Sequence, residues 1–161
     1  MTLEIDLSPL KWTKNVNHPD TNIYWAYQHD QEHDQVRYPF LVPEFNLHWR
    51  KEQVENAKKP NKGDLILLRQ RTKVTHLVKF LDDHAEFTEN GDYSIYRRVQ
   101  LLWMAQRPWD SAPHQNDVFG FEVELQGGKA IELDHITDLA EHFTTLTAFQ
   151  EHIAQKLGLG K

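Results

Sequence analysis

Cysteine is absent from all 161 residues, which excludes a disulfide framework, a zinc–thiolate centre and thiol-nucleophile chemistry. Also missing is any apolar run near the roughly 18 residues that a membrane span needs, and residues 1–10 hold no basic stretch leading into an apolar one. These absences predict a cytoplasmic protein, neither exported by a visible signal nor inserted in a membrane. Positive charge is scarce as well. The 18 Lys and Arg stand against 24 Asp and Glu for a net charge of −6, so any contact with nucleic acid has to be local rather than a general charge-driven grip. No phosphate loop is present, because Gly63 and Gly91 are isolated and Gly127-Gly128 lacks a following Lys and Ser or Thr. Nor is there a Gly-x-Ser-x-Gly elbow.

What is there is globular. Hydrophobic residues make up 39% and charged residues 26%, with 5 Trp, 5 Tyr and 8 Phe, more aromatic content than a disordered chain carries. Without internal repeats or a break in composition, residues 1–161 are expected to form one domain. Residues 1–20, with turns at Ser8-Pro9 and His18-Pro19-Asp20, read as an extended lead-in. Residues 22–28 are rich in β-formers and give a first strand; 29–43 read as loop. Helix formers gather over 47–58 and predict a short helix with Trp49 at its entrance. Residues 65–70 and 74–81 alternate as a strand hairpin, and 93–105 begin as strand with an ambiguous second half. A further hairpin is expected between 118–125 and 129–133 across Gln126-Gly127-Gly128. Two helical patches fill 136–157, the second capped by Thr147, with Phe149, Ile153 and Leu157 on one face.

Candidate chemistry is sparse. His29 and His33, four apart beside acidic residues, align as metal ligands only on a helix, and their segment reads as a solvated loop, so no metal is expected. His76 shares a strand side with Val74 and Val78, the place of a hydrogen-bonded, partly buried histidine, with a base partnered by a carboxylate as the alternative. Arg69, Arg71 and Lys73 form one local surplus of positive charge; Arg97, Arg98 and Arg107 flank a later apolar run. Both surpluses fit solvated strand faces. Aromatic faces that stack on flat ligands lie near strand ends: Tyr24, Trp25, Tyr27, Trp49, Trp103 and Trp109. Trp25 and Trp103 sit in apolar strands and suit the core, whereas Trp49, between Asn46-Leu47-His48 and Arg50-Lys51, suits a pocket wall or the mouth of a barrel.

The order Ile23-Tyr24-Trp25-Ala26-Tyr27-Gln28, a long loop, Trp49-Arg50 entering a helix, Lys62-Gly63-Asp64 opening a strand and Val74-Thr75-His76-Leu77-Val78 as its mate resembles the PUA-like superfamily, in particular EVE domains and their YTH relatives. The resemblance spans about residues 22–104. It implies an α+β fold, a PUA-like pseudo-barrel of mostly antiparallel strands with flanking helices. It also implies a non-catalytic domain that binds a modified base or nucleotide of DNA or RNA, without a cofactor, in an aromatic pocket between barrel and first helix. On that likeness Tyr27, Gln28, Trp49 and Thr75 contact the ligand, and Arg69, Arg71 and Lys73 hold the backbone phosphates. The first loop departs from the family's usual sequence and no second cage Trp stands at a matching position. The alternatives are a small-molecule enzyme using His76 and a carboxylate, or a protein-interaction subunit using the face of Phe149, Ile153 and Leu157.

Overall fold

The computed structural model describes residues 5–16, 44–88, 91–105, 111–124 and 127–159. In chain order these form β1 (Leu10–Asn15), β2 (Glu44–Trp49), a 3-10 turn (Lys51–Gln53), α1 (Val54–Lys58), β3 (Leu65–Gln70), β4 (Lys73–Phe80), β5 (Glu86–Phe87) and β6 (Ile95–Met104). Then come α2 (Gln115–Phe119), β7 (Ala130–Glu132), a second 3-10 turn (Leu133–His135), α3 (Thr137–His142) and α4 (Leu146–Leu157).

The strands make a single mixed sheet in the order β2-β6-β4-β3-β1-β7, with β5 added to β6. All described neighbours are antiparallel except β1 and β3, which run parallel with Lys14 beside Leu68. The sheet curls into a half-barrel. Its central strand β3 is buried along its whole length, and alternation sends its side chains to two cores. Ile66 and Leu68 turn to the concave side with Phe45, Leu47, Trp49, Val78, Phe80 and Val99. Leu65 and Leu67 turn to the convex side, where Val118 and Phe119 of α2, Leu139 of α3 and Phe149, Ile153 and Leu157 of α4 cover them. An α+β half-barrel with helices against its outer face is thus in place.

Several expectations need correction. The lead-in contains β1, whose Trp12, Lys14 and Val16 alternate toward the concave side. Residues 44–49 are strand rather than the start of a helix, because Phe45, Leu47 and Trp49 alternate into the core; only residues 54–58 are α-helical. The hairpin across Gly127-Gly128 does not form. Residues 115–119 are helix α2, and β7 pairs with β1, Ala130 opposite Lys14. The cap of α4 is Thr145, which accepts from the Ala148 amide, rather than Thr147. The 65–70 and 74–81 hairpin is present as β3 and β4. The strand expected at 22–28 and the loop at 29–43 lie outside the described residues.

The two ends of the curled sheet meet at one side chain. Asn56 of α1 accepts at Oδ1 from Trp49 Nε1 (2.7 Å) and from the Ala130 amide (2.7 Å), and its Nδ2 donates to the Ala130 carbonyl (2.9 Å). Its amide serves Ala130 as a neighbouring strand would, and so ties β2 to β7. Arg97 holds the same helix from below, donating to the carbonyls of Ala57 (3.0 Å), Pro60 (2.8 Å) and Asp82.

Candidate functional site

The concave core contains a cation. Lys14 lies in register with Leu68 on one side and Ala130 on the other, so its side chain enters the interior, where it is 2% exposed. Its Nζ sits 5.0 Å from the Trp49 ring centroid. An ammonium over an indole face gains a cation–π attraction of about 0.5–2 kcal/mol, short of the several kcal/mol that removal from water costs. Among the described residues it makes no hydrogen bond or ion pair. Loss of hydration and the neighbouring Arg69 charge lower its pKa to about 7.

The other buried charges do not offset it. Arg69, 1% exposed, lies on the convex side, where Nε donates to Thr13 Oγ1 (2.9 Å) and Nη1 to Gln115 Oε1 (3.2 Å), while Nη2 has no partner. Burial lowers its pKa to about 10. Arg97 donates Nη1 and Nη2 to carbonyls, leaves its buried Nε without a partner, and packs on the Phe80 ring. The only buried carboxylate among the described residues, Asp64, is occupied by Trp12 Nε1 and the Asn61 amide. Among the described residues three cations, Lys14, Arg69 and Arg97, are buried against one carboxylate.

The aromatic rings of the concave side pack on one another. Phe45 and His76 face one another with ring centroids 6.0 Å apart, and Trp49 lies 6.4 Å from Phe80. Burial, then the Lys14 charge, lowers the pKa of His48, which packs against Tyr96 on the adjacent strand. A side chain built on Gly128 would lie 3.8 Å from Lys14 Nζ and 3.9 Å from Gln53 Oε1. That Gln53 oxygen is buried and accepts no hydrogen bond.

The residues expected at a site are only partly gathered here. Tyr27 and Gln28 lie outside the described residues. Trp49 is fully buried at the end of β2 with its indole N–H bound to Asn56, a core position rather than an open wall. Thr75 is a buried bulge residue in β4, its Oγ1 2.7 Å from His76 Nδ1. Arg69, Arg71 and Lys73 do not form one cradle. Arg69 is buried, Arg71 is exposed in the β3–β4 turn, and Lys73 is half-buried with Nζ donating to the Ala112 carbonyl (3.1 Å). Successive strand residues face opposite ways, and the turn takes Arg71 away from both. His76 is fully buried. The face of Phe149, Ile153 and Leu157 is buried within the domain, so it offers no surface to a partner. His29 and His33 are outside the described residues, among which no group of three or more His, Asp or Glu is placed to hold a metal ion. Sequence reasoning passed over Lys14, Gln53, Asn56 and Gly128. The available signal was the i, i+2, i+4 series Trp12, Lys14, Val16, with a lysine where an apolar residue belongs.

No family model, curated protein or solved structure matches this chain.

Proposed function

We propose that this chain is a non-catalytic, PUA-like binding domain that takes a modified base or nucleotide, free or within DNA or RNA. The observation that carries the reading is Lys14, a cation held against Trp49 in a concave interior with no anion beside it among the described residues. Burying an unpaired charge is costly, and a ligand bringing an electron-rich group to Nζ offsets that cost when bound. The net charge of −6 fits extrusion of a single base, where few phosphates need contact.

Tryptophan-fluorescence titration with short DNA and RNA strands, unmodified and base-methylated, and with nucleoside monophosphates tests the reading. The expected result is quenching of the native protein at low salt and at least tenfold weaker binding by Lys14→Met, a variant that keeps the volume of the side chain. Silence toward every strand and nucleotide would overturn it.

A further inference from the structure

The β5–β6 hairpin joins exposed aromatic surface to concentrated negative charge. Among the described residues the exposed large hydrophobics are Phe87, 62% exposed, and Tyr93, 37%. Phe87 stands opposite Ile95 and Tyr93 is two residues before Ile95, so the two rings are diagonal neighbours across the hairpin. Apolar side chains exposed together, rather than scattered singly, mark a contact surface. Residues 82–93 also hold five Asp and Glu and no Lys or Arg. Asp82 and Asp83 accept from the backbone amides of His84 (2.9 Å) and Lys62 (2.6 Å), with Arg97 behind them. Glu86 and Asp92 are exposed on either side of the aromatic pair, and neither makes an ion pair among the described residues. Arg50 lies over the Tyr93 ring at 5.6 Å but is bound to Glu52 at 2.7 Å. The hairpin ends in an open edge, because among the described residues β5 pairs with β6 alone. The Thr88 amide donates to the Ser94 carbonyl (2.7 Å), and by alternation this turns the N–H and C=O of Phe87 away from β6.

We propose that this edge receives an extended, basic segment of a partner protein. The segment adds to β5 as a further strand through the backbone of Phe87, covers the Phe87 and Tyr93 rings with its apolar residues, and sets Lys or Arg side chains against Glu86 and Asp92. Charge selects the occupant. A second copy of this chain would bring its own carboxylates to the same edge, and like charges across a strand pair repel. The phosphates of a nucleic acid would meet the same field. A basic strand is drawn in by it, since complementary charge speeds encounter and suppresses wrong partners. Phe87 belongs to neither core, and the docking edge does not depend on the base-binding reading.

Fluorescence anisotropy of the full chain with a dye-labelled peptide of about twelve residues, alternating Lys and Val, tests the assignment. The expected result is binding that weakens with salt and that neither a matching Glu–Val peptide nor a single-stranded DNA shows. Phe87→Ser keeps every carboxylate and changes an exposed position, so the variant is expected to melt as the native protein does while losing about tenfold in affinity. Combining Glu86→Lys with Asp92→Lys is expected to invert the preference, so that the Glu–Val peptide binds and the Lys–Val peptide does not. Amide hydrogen exchange reads strand addition directly, through slower exchange at the Phe87 amide in the complex. Silence of the Lys–Val peptide, native affinity in Phe87→Ser, or unchanged exchange at Phe87 would overturn the proposal. Concentration-dependent dimerisation in sedimentation, abolished by Phe87→Ser, would overturn it in favour of a second copy at this edge.

Discussion

At the scale of the residue, the buried lysine ties function to stability. With a pKa lowered to about 7 against roughly 10.4 in the unfolded chain, Lys14 is a base whose folded form binds its proton weakly. Below pH 7 both states are protonated and the full cost of the buried charge falls on the folded state. Between about pH 7 and 10 the unfolded chain binds more protons than the folded one, so this residue's contribution to stability rises with pH, by up to about 1.4 kcal/mol per unit. Lys14→Met removes the penalty and is expected to stabilise the ligand-free protein by about 1–4 kcal/mol at pH 7, as replacements of buried ions by apolar residues do. Urea denaturation of both proteins from pH 6 to 9 checks this. The advantage of the variant should narrow as pH rises, and an advantage constant over that window would show that Lys14 keeps its proton. The same residue explains why the site was illegible in the sequence: a lysine among Trp12, Thr13 and Asn15 reads as solvent-facing. Its burial is decided by Leu68 and Ala130, far along the chain.

Between residue and molecule stand the elements, and there legibility followed locality. The β3–β4 hairpin is visible in its own residues because two apolar strands flank a two-residue turn. Strand β2 was obscured because Asn46 and His48 dilute its alternation and good helix formers follow directly. The end of α2, Val118 and Phe119, reads as the start of a strand because Val118, Phe119 and Phe121 are β-formers, whereas the His114 cap, bonded to the Asn116 amide, starts a helix. The hairpin turn itself is strained. Arg71 and Thr72 have φ of 50° and 69°, a geometry that suits the twist of a two-residue hairpin but disfavours a β-branched side chain. Thr72→Gly is expected to raise the urea midpoint, by about 1 kcal/mol of stability. Asn56→Ala works in the opposite direction. It strands the Trp49 indole N–H and both backbone groups of Ala130, and is expected to cost about 2–4 kcal/mol with a shift in tryptophan emission as the seam loosens.

For the whole molecule, the central strands couple the two cores. Because β3 contributes Ile66 and Leu68 to one and Leu65 and Leu67 to the other, neither can be dismantled alone. Phe149→Ala, a cavity on the convex side, is expected to cost about 3–5 kcal/mol and to lower helix ellipticity and concave-side tryptophan emission in one coincident transition. Two separate midpoints would mean that the helical layer comes away by itself. That long-range architecture is also what the sequence concealed: an α+β class was legible from segment patterns, but the pairing of β1 with β3 and β7 was not, since nothing local to residues 10–15 specifies partners so distant. The same pairing orders events during synthesis. Of the described strands β1 is synthesised before its neighbours at Leu65–Gln70 and Ala130–Glu132, the latter made on the order of ten seconds later at ordinary elongation rates. Until Ala130 emerges Lys14 stays in water, fully charged, and the nascent chain keeps this lysine hydrated until β7 can seal it in.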